Sequence, residues 1–106
     1  MISKKVYISG PMTGIKNFNR EAFNRASLEL RIAGHIALNP ARHPVGLEYG
    51  EYMSYAMLDI FNCDYVFLLP GWENSPGAKR EVALAKQQGK ELFNFTTNQS
   101  SLRNSK

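Results

Sequence analysis

A glutamate inside an apolar helical arc is the residue of this sequence that most clearly invites a chemical interpretation. The pair Ser75-Pro76 predicts a helix start, because serine is a preferred N-cap and proline suits the first helical position. At about 100° per residue, Val82 and Ala85 lie on one apolar arc, and Glu81 falls inside it. A carboxylate facing a sheet is costly to desolvate unless it is paired or lies in a cleft. Two interpretations follow: an ordinary glutamate at the rim of a short helix, or a carboxylate held at the sheet edge where open α/β folds bind ligands.

A glycine-containing loop is the second candidate for a ligand site. Lys5 to Ser9 reads as a strand of β-prone residues, and it is followed by Gly10-Pro11-Met12-Thr13-Gly14. The loop matches neither a Walker A sequence nor a dinucleotide-binding glycine turn. Its backbone N–H groups are suited to cradling a phosphate, although many loops of this kind contain two glycines for turn geometry only.

The elements that must position these residues alternate between strands and helices. The sequence predicts strands at 5–9, 35–38, 65–69 and 91–95, and helices at about 17–33, 50–62 and 75–88. On the second of these helices, the pattern places Met53, Ala56, Met57 and Ile60 on the core-facing side. The apolar run from Tyr65 to Leu69 is typical of a central parallel strand covered on both faces. The predicted fold class is therefore α/β: a single doubly wound parallel sheet, flavodoxin-like or Rossmann-like, of four to five strands with helices on both faces.

The expected strand order, 2-1-3-4, places a topological switch point between strands 1 and 3. Both the loop at 10–14 and the loop at 70–75 then leave the sheet at that point. This convergence predicts a small-molecule site there. The long loop at 41–49 also leaves the carboxyl edge of a strand, where it could cover a ligand cleft.

Composition predicts one domain and excludes several classes of protein. The 106 residues are 43% hydrophobic and 21% charged, which is ordinary for a globular chain. We expect a domain at 1–95 and a polar, flexible tail at 96–106. A single cysteine excludes an internal disulfide and fits a cytoplasmic protein, and no apolar run suggests a signal peptide or a membrane span.

Charge and histidine content give weaker indications. The net charge is +4, of which Arg103 and Lys106 in the tail contribute +2. This modest excess suits an anionic small molecule as well as nucleic acid, and no basic-aromatic interleaving is present. Because His35 and His43 have no partners at metal-ligand spacing, no metal site is predicted, and no cofactor is implied.

Several segments resemble the nucleoside 2-deoxyribosyltransferase superfamily. Cys63-Asp64 precedes the apolar strand, and Ser75-x-Gly77-x-x-x-Glu81 has the Ser–Gly–Glu spacing of its deoxynucleotide N-hydrolase branch. Tyr7-Ile8-Ser9-Gly10-Pro11 resembles the first-strand motif of the superfamily. The form Leu69-Pro70-Gly71-Trp72-Glu73 looks closest to a short branch frequent in phage and bacterial genomes. The resemblance covers about residues 4–95.

The resemblance implies cleavage or transfer at a nucleoside-type N-glycosidic bond. In this chemistry a carboxylate attacks C1′ as the base departs, which leaves a covalent glycosyl-enzyme. Glu81 matches the nucleophile, and Asp59, five residues before Asp64, matches an aspartate that binds deoxyribose and assists catalysis. Tyr7 is expected to orient Glu81 by a hydrogen bond. Asp64 itself is expected to position its strand.

The resemblance also implies a substrate-binding set around the sugar and a 5′-phosphate. Its members are Ser9, Gly10, Pro11, Met12, Thr13, Gly14, Trp72, Ser75 and Gly77. Ser75 and the loop N–H groups would hold the phosphate at a helix N-terminus, where the helix dipole favours an anion. Trp72 would stack on the base, or would instead serve as a packing plug.

The sequence departs from the characterised enzymes at two positions and leaves other functions open. Arg80 replaces an aromatic residue of the nucleotide hydrolases, and Lys79 replaces their second glycine. The C-terminal segment that completes some transferase sites has no clear counterpart. A non-catalytic binder of nucleotides or nucleotide-derived signals is the alternative, followed by a nucleic-acid-associated accessory protein.

A homodimer or larger homo-oligomer is also predicted. The first helix carries Leu28 and Ile32 on the side opposite its core-facing arc, at i and i+4. Members of the superfamily assemble and often share sites across subunits, so this second apolar patch is the best candidate for a subunit contact.

Overall fold

Four parallel strands form one sheet. The computed structural model describes residues 3–43 and 46–95, so the predicted tail at 96–106 lies outside the described residues. The strands are β1 (Lys5–Ser9), β2 (Ile36–Leu38), β3 (Tyr65–Leu68) and β4 (Glu91–Asn94). Their order is β2-β1-β3-β4, and each neighbouring pair is parallel. The predicted order is confirmed, with four strands in the described part of the chain.

Helices cover both faces of this sheet. They are α1 (Arg20–Ile32), α2 (Tyr49–Asn62) and α3 (Pro76–Gln87). Side chains of α1 pack in one core cluster, whereas those of α2 and α3 pack in a second cluster. The doubly wound α/β architecture predicted from the sequence is confirmed.

The period-two alternation of β1 divides its side chains between the two clusters. Val6 and Ile8 point to the cluster that contains α1, and Tyr7 belongs to the cluster that contains α2 and α3. Ser9 therefore faces the same side as Tyr7, toward α3, because two residues along a strand restore the direction of the side chain. This alternation aims Tyr7 and Ser9 at the helix that carries Glu81.

The chain leaves β1 and β3 side by side, as expected at the switch point. The N–H of Leu69 donates to the carbonyl of Ser9 at 2.8 Å, which extends the pairing of the two strands beyond β3. Gly10 is required at this crossing, because a Cβ there would lie 2.7 Å from the Cβ of Leu69. Asp64 acts at the other end of the pair, where Oδ2 accepts from the N–H of Lys5 at 2.9 Å.

Two helices expose apolar side chains. Leu28 and Ile32 on α1 are 51% and 72% exposed, as the two-sided pattern indicates. On α2, Met57 is 51% exposed although the pattern predicts it in the core. It follows the buried Ala56 by one residue, or about 100° around the helix, and the sheet covers only a narrow stripe of α2. Among the described residues, no helix is both long and apolar enough to cross a membrane.

Candidate active site

Glu81 is a buried carboxylate that bridges α3 to the first strand. Its side chain is 3% exposed, and Oε1 accepts a hydrogen bond from the Ser9 hydroxyl at 2.6 Å. Such a short bond to a carboxylate oxygen is typical of a charge-assisted hydrogen bond. Of the two interpretations open at the sequence level, the structure therefore excludes the exposed rim glutamate.

Burial sets the protonation of this carboxyl. Loss of solvent raises the pKa of Glu81 to about 7, while contact with Ser9 and with Tyr7 acts in the opposite direction. At neutral pH the group is thus present in both forms. A carboxylate poised near the ambient pH is a feature of functional sites, and here it has a clear physical cause.

Tyr7 lies beside Glu81 but does not make the predicted hydrogen bond. Its hydroxyl is buried and has no hydrogen-bond partner in the described part of the chain. Burial raises the pKa of Tyr7 well above its ordinary value, and the nearby Glu81 charge adds to this effect. The hydrogen bond that orients Glu81 comes from Ser9, two residues further along the same strand.

A cleft of about 870 Å³ opens above Glu81 at the carboxyl edge of the sheet. Its volume is in the range of small-molecule sites. The loop after β1 and the start of α3 form two of its walls. The predicted site residues that line it are Gly10, Pro11, Met12, Thr13, Ser75, Gly77 and Glu81.

The start of α3 presents an anion-compatible wall to this cleft. The Ser75 hydroxyl caps the helix by accepting from the N–H of Ala78 at 3.2 Å. Pro76 occupies the first helical position, where no N–H is needed. Gly77 follows, and amides of the first turn have no acceptor within the helix. The sequence-level expectation of an N-cap at Ser75 is confirmed.

Three of the predicted substrate-binding residues do not line the cleft. Ser9 lies beneath it and binds Glu81. Trp72 packs against the core cluster that contains Tyr7, which favours its interpretation as a packing plug. Gly14 is exposed and has a φ of 83°, a left-handed conformation that glycine adopts at little cost. Glycine at this position is therefore explained by the conformation of the loop.

Asp59 is paired with a histidine. His43 Nε2 lies 3.5 Å from Asp59 Oδ2, and the Asp59 side chain is 29% exposed. Asp59 is not among the described residues that line the cleft. Burial is the main cause of the raised pKa of Tyr7, and the charge of Asp59 adds to it. The structure therefore brings Tyr7 and Glu81 into direct proximity and pairs Asp59 with His43.

The far wall of the cleft comes from the loop that precedes α2. Residues 41, 43, 46, 47 and 49 line the cleft, so this loop borders it as its length and position suggest. His43 contributes an imidazole to this wall.

Comparison of the whole sequence identifies its family. Residues 4–94 match the profile of a family described as "Domain of unknown function (DUF4406)". The chain belongs to the DUF4406 family. No curated protein sequence matches it significantly.

Two solved structures share the fold of this DUF4406 protein. A 2-desoxiribosyltransferase from Leishmania mexicana superposes with a TM-score of 0.71 at 20% identity, over 89% of this chain and 65% of that chain. The CMP N-glycosidase BcmB from Clostridium botulinum gives a TM-score of 0.64 at 20% identity, over 87% of this chain and 71% of that chain. The DUF4406 chain thus spans less than two thirds of the Leishmania protein. The fold that the motif resemblance implied is confirmed.

Sequence patterns indicated the loop at 41–49 as a whole, but they did not single out several individual cleft residues of this DUF4406 chain. These are Phe18, Arg20, His43, Tyr49 and Tyr52. A signal existed for Phe18, since it is flanked by asparagines, which tolerate left-handed backbone. The backbone is left-handed at three successive residues, with φ values of 56°, 53° and 62° at Asn17, Phe18 and Asn19. The exposed Phe18 side chain lines the cleft. His43 had no comparable signal, because its partner lies on another element.

Proposed function

We propose that this protein breaks or transfers the N-glycosidic bond of a nucleoside or nucleotide, with Glu81 as the nucleophile. The observation that carries the proposal is the buried Glu81 carboxylate, held by Ser9 at 2.6 Å in the wall of a cleft. The proteins of similar fold, a 2-desoxiribosyltransferase and a CMP N-glycosidase, motivate the choice of bond.

The geometry suits a retaining displacement. Ser9 binds Oε1, which leaves Oε2 as the oxygen that attacks C1′. The new C1′–O bond forms as the C1′–N bond breaks, and the electron pair of the C1′–N bond leaves with the base. Water or a second base then displaces the carboxylate, which gives hydrolysis or transfer. Ionised Glu81 is needed for attack, and the pKa of about 7 leaves a substantial ionised fraction at neutral pH.

The cleft also offers a place for a 5′-phosphate. The positive end of the α3 dipole points to the wall formed by Ser75 and Gly77. Ser75 Oγ already accepts a hydrogen bond from Ala78, so its hydroxyl hydrogen is available for a phosphate oxygen. Gly10 and Thr13 face the same space from the loop after β1.

A substrate panel tests this function. The purified protein is incubated with deoxynucleosides, their 5′-monophosphates and nicotinamide dinucleotides, and free base is detected by chromatography. Release of base that the E81Q variant does not catalyse supports the proposal. A nucleotide that co-purifies and stays intact would identify a non-catalytic binder instead. Strongly salt-dependent DNA binding without base release would identify a nucleic-acid-associated protein.

We propose that the protein acts in the cytoplasm as a homo-oligomer, and that each subunit has one catalytic domain at residues 1–95. The exposed Leu28 and Ile32 support the subunit contact, and a single buried, free Cys63 fits a reducing compartment.

A further inference from the structure

We propose that His43 is the general acid that protonates the departing base, and that Asp59 acts through His43 as a positioning residue. This inference deepens the function proposed above and rests on it. The first observation is the pairing of these two residues. His43 lines the cleft, and its Nε2 lies 3.5 Å from Oδ2 of Asp59. A carboxylate next to an imidazole holds the ring in one orientation.

Two tyrosine rings restrict the imidazole further. The Tyr55 ring lies at a centroid distance of 4.8 Å with an interplanar angle of 33°, and the Tyr52 ring at 6.0 Å with an angle of 72°. Tyr52 is itself held in place, because its hydroxyl lies 3.0 Å from the sulfur of Met12. The ring of His43 is thus positioned by side chains from α2 and from the loop after β1. A positioned ring is what proton transfer to a bound substrate requires.

The second ring nitrogen of His43 lacks a partner. Nδ1 is buried and has no hydrogen bond within the described part of the chain. A buried polar atom without a hydrogen-bond partner is costly, because it has given up its hydrogen bonds to water. The residue lines the cleft, so a bound ligand that draws the imidazole slightly toward it can supply the missing partner. Nucleobases carry ring nitrogens and carbonyl oxygens that accept a proton.

His43 and Glu81 flank the same tyrosine. Tyr52 lines the cleft, lies next to His43 and is close enough to Glu81 for that carboxylate to add to the effect of burial in raising the pKa of Tyr52. A nucleoside in the cleft can therefore present C1′ to Glu81 and its base to His43. One group supplies the electron pair for the new bond, and the other supplies the proton for the leaving group.

The proton balance of the step is complete. Glu81 Oε2 forms the bond to C1′, the C1′–N bond breaks, and the electron pair goes to the base. The proton on Nδ1 of the His43 imidazolium moves to the base, which leaves neutral. The imidazole keeps its Nε2 proton toward Asp59. In the second half, neutral His43 takes a proton from the attacking water or acceptor base and is restored.

A leaving-group comparison tests the role of His43. Base release is measured in a single turnover, with enzyme in excess, so that only the first half of the reaction is followed. Wild type and H43Q are compared with a 2-deoxyriboside or its 5′-phosphate that carries a natural base. The same measurement uses the matching 4-nitrophenyl deoxyriboside, whose leaving group needs no proton. We expect H43Q to lose on the order of a hundredfold or more with the natural base and less than about fivefold with 4-nitrophenolate. H35Q is the matched control, because His35 lies away from the cleft and binds the N–H of Lys4 at 3.1 Å.

A double-mutant cycle tests the role of Asp59. If Asp59 acts through His43, D59N should show the same leaving-group-selective loss, and H43Q/D59N should be no slower than H43Q alone. Losses that multiply would instead show that Asp59 acts directly on the substrate. Thermal melts by circular dichroism check that each variant is folded.

The possible failures are distinguishable. An equal loss by H43Q with both leaving groups, or no loss at all, overturns the role of His43 while leaving Glu81 as the nucleophile. Wild-type protein that releases neither base nor 4-nitrophenolate from any substrate overturns the proposed function together with this inference.

Discussion

Ser9 and Glu81 lie 72 residues apart in the sequence and are joined by a buried hydrogen bond of 2.6 Å. The hydroxyl belongs to the end of β1 and the carboxylate to the first half of α3. Burial favours the protonated form of Glu81, and the Ser9 hydroxyl favours the ionised form. The balance between them determines how much nucleophile the proposed reaction has at a given pH.

The S9A variant tests that balance. Because the Ser9 hydrogen bond lowers the pKa of Glu81, its loss should raise this pKa above about 7. We expect the acidic limb of the kcat/KM profile to move to higher pH, with the loss of activity largest below neutrality. S54A is the control, since Ser54 is exposed and its hydroxyl donates to the Gly50 carbonyl of its own helix. An unshifted limb in S9A would show that the limb does not report Glu81.

The E81Q variant tests the nucleophile. Glutamine keeps the size of the side chain but cannot form the glycosyl ester, so base release should fall by about a thousandfold or more. Substrate affinity, measured by calorimetry, should persist because other groups hold the sugar and phosphate. E73Q, a change at an exposed loop glutamate, should be nearly silent. Base release by E81Q at the wild-type rate would reduce Glu81 to a structural carboxylate.

Stability should depend on pH through the same residue. The folded pKa of Glu81, about 7, lies above its ordinary value, so the folded protein binds the proton more tightly than the unfolded chain. The contribution to stability is therefore complete below about pH 4.5 and is lost as pH rises through about 7, with a magnitude of about 3 kcal/mol at most. The E81Q variant has no titratable carboxyl at this position, so its stability should not fall in this way as the pH rises. Urea denaturation from pH 5 to pH 8 should show E81Q gaining on wild type as pH rises, and a constant difference would contradict the assignment.

The close crossing at Gly10 predicts a stability defect. The Cβ of a G10A variant would lie 2.7 Å from Leu69 Cβ, so β1 or β3 must shift. We expect the free energy of unfolding to fall by about 1–3 kcal/mol, with a distorted cleft and slower base release. In the control G50A, the added Cβ meets nothing within 4 Å on α2, and stability should hold or rise slightly. Urea midpoints measured in parallel compare the two variants.

The subunit contact is tested by light scattering. Wild-type protein should behave as a homodimer or larger assembly at micromolar concentration, and L28S/I32S should shift it toward monomer because the change removes an exposed apolar patch. L58S/F61S is the matched comparison, since those α2 side chains are also exposed. Dissociation by the α2 variant alone would place the contact on the other helix. A wild-type monomer would remove the prediction altogether.

Local sequence patterns determined most of the fold. The apolar run of β3, the alternation in β1 and the Ser75-Pro76 helix start each depend on neighbours within a few residues, and each is observed. The strand order followed from alternating elements and short connections. The extent of the α2 core face was wrong, because periodicity gives the direction of a side chain and not how much of a helix the sheet covers. Met57 shows this difference. The first helix also begins at Arg20 and not at about residue 17, because residues 17–19 adopt left-handed backbone.

The site was determined in part by sequence and completed by tertiary structure. The spacing around Glu81 was sufficient to single out that carboxylate, and the motif at Tyr7 indicated the strand beside it. The sequence did not show that Ser9 would bind Glu81, or that His43 would pair with Asp59. These contacts join a strand to a helix and a loop to a helix, and periodicity describes each element only along its own axis. Where two elements cross is decided by the packing of their side chains, so the partners of a polar group become visible only in the folded chain.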